Sequence, residues 1–185
     1  MQASEPSKSR RLVELIRKDA YRMSILSDVS RLPLKNCYVA AGFVRNLVWD
    51  HLHQKEATEL NDIDVIFFDQ DKRAQAKGER AASDLKRVSP GVNWQLKNQA
   101  VMHLRNHHSP YKSIADAMSY WPEKETAVAV KISGNGLISL VAPYGLDSLF
   151  RGEITQGDKV DRRVFEQRVE NKRWLISWPK LKIIQ

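Results

Sequence analysis

The chain has 185 residues, with 30 Lys and Arg against 22 Asp and Glu and a formal charge of +8. That length suits one domain with its own core and is short for two. An apolar share of 42 %, with five each of Trp, Tyr and Phe, excludes a disordered chain, and a single cysteine, Cys37, excludes a disulfide scaffold. The positive surplus draws polyanions, whether nucleic acid, nucleotides or acidic membrane.

Residues 1–9 read as a flexible polar leader and 10–185 as the domain. The apolar residues that follow the leader are broken by Glu14, Arg17, Lys18 and Asp19, which no signal-peptide core tolerates, and no run approaches the about 18 apolar residues of a membrane span. The expectation is a cytoplasmic protein. From Arg10 to Leu32, Leu12, Ile16, Met23, Leu26 and Val29 form one apolar stripe, which predicts a single helix ended by Pro33. Residues 37–41 predict a short buried strand stopped by Gly42, after which Val44, Leu47, Val48 and Leu52 return to helical spacing. Residues 63–68 have strand composition. Residues 74–88 suit a surface helix, Val92, Trp94 and Leu96 alternate as a half-buried strand, and short helices are expected over 98–104 and 112–120. Residues 127–132 and 137–141 flank Ser133-Gly134-Asn135-Gly136, a hairpin signal. A short helix runs through Phe150, another spans 161–174, and the chain closes on Trp178-Pro179 and an apolar tail. The sum is one mixed α/β (α+β) domain with a partly antiparallel sheet and helices packed against it.

The chemistry concentrates between Val39 and Asp69. Asp62 and Asp64 stand two apart at the start of an apolar strand, so both side chains leave one face. Two adjacent carboxylates repel unless a cation lies between them, and hard oxygen donors in that geometry suit magnesium, which takes one or two carboxylates and completes its shell with water and phosphate. Two acids capping a strand end in solvent is the plainer alternative. Upstream, Gly42 separates a buried strand from a helix whose first amides are free to hold an anion, and Arg45 sits on its first turn. A phosphate cradle beside a metal site is what nucleotidyl transfer requires.

The segments A-G-F-V-R-N, Ala41 to Asn46, and D-I-D-V, Asp62 to Val65, resemble the nucleotidyltransferase core of the DNA polymerase β superfamily, most nearly the Gly-Gly-x-Val-Arg-Asp and Asp-x-Asp motifs of the CCA-adding enzymes. With W-Q-L-K-N-Q-A-V-M-H, S-P-Y, W-P-E, A-P-Y-G-L-D-S-L-F and K-R-W-L-I-S-W-P, the chain resembles over residues 12–183 a compact bacterial nucleotidyltransferase-like family once classed as a domain of unknown function. The resemblance implies a mixed sheet with helices on one side and a cleft above the Asp-x-Asp strand. It implies Mg2+ or Mn2+ on Asp62 and Asp64, nucleotide phosphates at Gly42 and Arg45, and Asn46 where the CCA-type motif has Asp. Lys97 and Asn98 are further candidate nucleotide-binding residues.

The implied reaction is transfer of a nucleoside monophosphate from a nucleoside triphosphate to an unidentified hydroxyl acceptor, RNA or a small molecule. With only the core within this length, acceptor recognition would fall to the basic surface. Three departures stand out, one of them Phe43, which is bulky where many superfamily members have a small residue or serine. Ala41 replaces the first glycine of the pair, and the third carboxylate of active members has no counterpart on the strand of residues 92–98, which offers Gln95 and Lys97 instead. Lys97 would neutralise substrate phosphate or occupy the cation's place; Asp69, about 16 Å beyond Asp64 along an extended strand, is a poor substitute acid. The rival reading is a catalytically inactive nucleotide- or RNA-binding module of the same fold. His103, His107 and His108 lack convincing metal spacing, Asp147 reads as a first-turn helix acid, Trp94, Trp121, Trp174 and Trp178 read as core, and Cys37 as inert.

Overall fold

A computed structural model describes residues 7–184 of the chain. The expected leader lies outside the described residues as far as residue 6, while Lys8 and Ser9 already belong to the first helix. That helix, α1 (Lys8–Lys18), is separated by one residue from α2 (Ala20–Ser30), where the apolar stripe predicts a single helix. The break is chemical. Asp19 adopts extended backbone, its carboxylate accepts the Arg22 N–H at 2.9 Å, and its own N–H closes on the Ile16 carbonyl at 3.1 Å. One residue thus ends one helix and caps the next, a role for which aspartate competes well. The stripe survives the break because Leu12, Ile16, Leu26 and Val29 remain buried together.

Strand β1 (Tyr38–Ala40) leads into α3 (Gly42–His53). Then β2 (Ile63–Phe67), α4 (Ala74–Val88) and β3 (Trp94–Asn98) form a strand-helix-strand crossover, followed by α5 (Gln99–Asn106) and α6 (Ile114–Met118). The hairpin β4 (Ala129–Ile132) and β5 (Ile138–Val141) turns where Gly136 takes φ +77°. After it come α7 (Asp147–Arg151), β6 (Glu153–Thr155), α8 (Arg162–Lys172), α9 (Trp174–Ser177) and β7 (Lys182–Ile184). The five-stranded sheet has the order β3-β2-β1-β4-β5, with β2 and β3 parallel and the other pairs antiparallel. This is the expected mixed, partly antiparallel architecture. The small parallel pair of β6 and β7 has no counterpart in the sequence reading, because three-residue strands carry too short an alternation to stand out, and all of β7 is exposed.

Alternation along the strands divides the core. Val39, Ile63, Val65, Trp94 and Val130 face α1, α2, α3 and Leu85 of α4. Ala40, Ile66 and Ala129 face the other way and meet Ile114 and Met118 of α6. Helices therefore cover both faces, not the one side implied by the family resemblance, although α6 covers only part of its face. Asp64 lies two residues before Ile66 and shares this second, incompletely covered face. Among the described residues no helix is long and apolar enough to cross a membrane.

Candidate nucleotide-binding cleft

The turn from β1 into α3 builds one wall. Ala41, not Gly42, carries the unusual backbone, with φ 58° and ψ −124°, a region that disfavours any residue with a Cβ. Its N–H bonds the Val128 carbonyl at 3.0 Å, and its carbonyl accepts Val44 and Arg45 N–H at 3.1 and 2.9 Å. That leaves the amides of Gly42 and Phe43 at the helix start without intrahelical acceptors. A Cβ built on Gly42 would meet nothing closer than 3.5 Å, an Arg45 nitrogen. Packing therefore does not require glycine there; its bare Cα opens on the cavity.

That cavity, of about 410 Å3, is lined by Gly42, Arg45 and Asn46, by the Thr58–Asn61 loop, by Asp62, Asp64 and Lys97, and by Arg168, Lys172, Trp174 and Trp178. Four cations and three carboxylates, counting Glu59, share its wall, and Arg45 is the cation beside Gly42. Asp62 is exposed just ahead of β2, and the half-buried Asp64 stands on the strand, in register with Ala40 and Gln95. Lys97 projects from β3 on the same face and places its Nζ 3.1 Å from Asp64 Oδ1. It has no ion pair with Asp62 within 4 Å, so it does not sit between the two acids; it neutralises one of them.

Arg45 is placed differently from a solvent-reaching clamp. It is only 7 % exposed, and its guanidinium lies 4.9 and 4.7 Å from the ring centroids of Trp49 and Trp174. Nη1 donates to Thr126 Oγ1 at 2.7 Å, Nη2 donates to Asn46 Oδ1 at 3.0 Å, and Nε has no partner among the described residues. Burial lowers its pKa to about 10, while the nearby carboxylates Glu123 and Glu125 act in the opposite direction. It stays charged at neutral pH, so it supplies a fixed positive field and orients Asn46.

The C-terminal segment closes the cleft, and sequence reasoning missed its part. Asp50 of α3, 3 % exposed, accepts the Thr58 N–H and hydroxyl at 2.8 and 2.7 Å and the Trp178 indole N–H at 2.8 Å. One carboxylate thus fixes both the 58–61 loop and the chain end. Trp174 and Trp178 stand four apart and pack edge-on against Trp49, with centroids at 5.6 and 5.2 Å; that spacing in K-R-W-L-I-S-W-P was the available signal. Arg168 of α8 pairs with the buried Glu123 of W-P-E and so presents a neutralised pair to the cleft.

Other candidates lie elsewhere. Asn98 is absent from the cavity lining. Its Oδ1 accepts Ala100 and Asp69 N–H at 3.1 and 3.2 Å, and its amide donates to the Asp69 carbonyl at 2.7 Å, so it caps α5 and ties down a loop. Asp69 is paired with Lys77 at 3.1 Å and accepts the Asp71 N–H, which holds its pKa below the ordinary value. Asp147 opens α7 and pairs with Lys8 at 2.7 Å, as a first-turn acid should. His108 Nδ1 lies 2.7 Å from the Tyr111 hydroxyl, inside an aromatic cluster with Tyr120. Among the described residues no group of three or more His, Cys, Asp or Glu is placed to hold a metal. Burial pushes the Cys37 thiol up to about 12, which leaves it without thiolate reactivity.

A family model described as nucleotidyltransferase matches residues 27–183. The chain belongs to this nucleotidyltransferase family. An NMR structure described as revealing a CCA-adding enzyme head domain is 31 % identical over 95 % of both chains, with a TM-score of 0.82. A CCA-adding enzyme in complex with CTP matches with a TM-score of 0.60 at 15 % identity, over 96 % of this chain and 43 % of that one. A Thermotoga maritima CCA-adding enzyme complexed with tRNA matches with a TM-score of 0.60 at 16 % identity, over 96 % and 42 %. At such identities these two show the fold alone, and this chain spans less than half of their length. No curated protein matches in sequence.

Proposed function

We propose that the chain transfers a nucleoside monophosphate from a nucleoside triphosphate to a hydroxyl acceptor, with Mg2+ or Mn2+ as cofactor and in a cytoplasmic setting. The observation that carries the reading is the convergence on one cavity of the helix start at Gly42, the side chains of Arg45, Lys97 and Lys172, and the Asp62 and Asp64 carboxylates.

The donor set fits the cofactor. Two carboxylates on a solvent-open rim match the requirement of magnesium for one or two acidic ligands, the rest of its shell being water and substrate oxygens. When bound, the ion would neutralise charge on the phosphates and acidify the attacking hydroxyl. The chain's own residues supply the remainder. The Gly42 and Phe43 amides hold the terminal phosphates, and Arg45 holds positive charge behind them. Lys97 leaves Asp64 as the triphosphate arrives and moves onto phosphate oxygen. The acceptor oxygen bonds to the α-phosphorus, the bond from that phosphorus to the β-phosphate bridging oxygen breaks, pyrophosphate leaves with the electron pair, and the hydroxyl proton passes to water. RNA is favoured as the acceptor class by the basic surface and by the tRNA bound to one structural neighbour.

One specific observation favours the rival, a binding module without turnover. Lys97 already occupies Asp64, and β3 offers no third acid. Incubating the protein with α-labelled triphosphates, either metal ion and cellular RNA separates the two readings. Label transfer abolished by Asp64→Asn supports the transferase; nucleotide binding with no transfer under any condition supports the module.

A further inference from the structure

Gln99, Met102, Trp121 and Pro122, from the stretches W-Q-L-K-N-Q-A-V-M-H and W-P-E, have no part in holding a triphosphate. The fold nevertheless gathers all four around a second cavity of about 220 Å3. It opens on the sheet face that carries Ile66, and Ala41, Asp64, Lys97 and Arg168 belong to its lining as well as to that of the larger cavity. The two cavities therefore meet at Asp64.

Gln99 decides what this space is for. It is 4 % exposed, yet its side-chain amide makes no hydrogen bond to another described residue, although buried polar side chains are nearly always paired. Nor are its amide atoms among those sealed from solvent without a partner, which is consistent with an amide that looks into the cavity it lines. Around it, Trp121 offers a flat aromatic surface, Met102 a polarisable thioether and Pro122 a rigid apolar edge, surfaces suited to a planar ring. An amide presents N–H donors and a carbonyl acceptor side by side, which matches the donor–acceptor edge of a nucleobase. The volume lies below the about 300–1,000 Å3 of whole-ligand pockets, so it suits one ring and not a complete substrate.

Position supplies the role. In phosphoryl transfer the attacking and leaving oxygens lie roughly in line through phosphorus. With pyrophosphate leaving into the Gly42 cavity, the acceptor hydroxyl must approach the phosphorus from another direction, and the second cavity adjoins the first through Asp64. Resting on the transferase reading above for its direction, we propose that this cavity is the acceptor subsite: it receives one nucleobase of the acceptor, packed against Trp121 and hydrogen-bonded along its edge by Gln99. The base belongs either to the 3′ end of an RNA or to a free nucleoside.

The test reads binding and does not depend on turnover. Five-nucleotide RNAs identical except for the 3′ base, and the four free nucleosides, are titrated into wild type, Gln99→Leu and Trp121→Ala. The expected result is tightest binding for one 3′ base among the four, an about tenfold loss for it in Gln99→Leu that levels the four bases, and an equal loss for all four in Trp121→Ala. The melting temperature of Gln99→Leu stays at the wild-type value, because Gln99 holds no protein partner. Competition by the matching free nucleoside marks a small acceptor, and competition by RNA alone marks a chain end; either supports the subsite. Unchanged base preference in Gln99→Leu, or no binding of any of these ligands, overturns it. Base binding that persists in a protein with no transferase activity would refute the transferase reading and leave the subsite standing.

Discussion

Ala41 stands where the CCA-type motif has a glycine, and its backbone shows what that costs. At φ 58° and ψ −124°, a residue with a Cβ carries strain on the order of 1–3 kcal/mol. Replacing it with glycine removes that strain but restores about 0.4–1 kcal/mol of unfolded-state freedom and exposes the space of one buried methyl, worth up to about 0.8 kcal/mol. The balance favours Ala41→Gly by about 1 kcal/mol, which for a chain of this length is a rise in melting temperature of roughly 2–4 °C. Thermal unfolding followed by circular dichroism, with urea unfolding as a second readout, measures it. Nucleotide affinity should not change, because the Ala41 carbonyl still closes the first turn of α3. A variant less stable than wild type, with native secondary structure, would refute the strain assignment.

Gly42→Ala should unfold within about 1 °C of wild type, since its Cβ meets only ordinary contacts, yet lose at least several-fold in triphosphate affinity by calorimetry; a loss of stability with unchanged affinity would place the glycine in the fold and not in the site. Lys97→Met should strengthen Mn2+ binding to the nucleotide-free protein by a few-fold and no more, since half-exposed ion pairs are worth about 0.2–1 kcal/mol, while weakening triphosphate binding; opposite signs in the two titrations are the signature. Glu125 is 1 % exposed, and burial raises its pKa above the ordinary 4.5 against the opposing Ser148 and Thr155 hydrogen bonds. The native state then binds more protons than the unfolded one, so this group's contribution is full below about pH 4.5 and lost as pH rises through the native value. Glu125→Gln should accordingly melt higher than wild type at pH 7 and equal to it near pH 4.

The strand, turn and helix that carry the cleft were legible because each has a local cause. The buried run before Gly42, the branched residues of β2, and the alternation that turns Gln95 and Lys97 away from Trp94 all need only near neighbours. The doublet of Asp62 and Asp64 followed from strand periodicity, and the family from its motifs. Arg45 was legible as a position but not as an environment, because its burial depends on Trp174, far along the chain. Asn98 looked like a cleft residue because it follows Lys97, yet the α5 cap and the Asp69 backbone hold its side chain. Asp19 breaks the single helix that the continuous apolar stripe predicts, since side-chain capping leaves no trace in hydropathy. The roles of Trp174 and Trp178 required the Asp50 latch, a long-range contact from α3 to Trp178, and that of Arg168 required its pair with Glu123.

The central claim is that Asp62, Asp64 and the start of α3 form one metal–nucleotide site. Paramagnetic broadening of backbone amide signals by Mn2+ with a non-hydrolysable triphosphate tests it most directly. The account predicts selective loss of the Gly42, Phe43, Asp62 and Asp64 signals, abolished by Asp64→Asn. Broadening centred elsewhere, or unchanged in that variant, would contradict it.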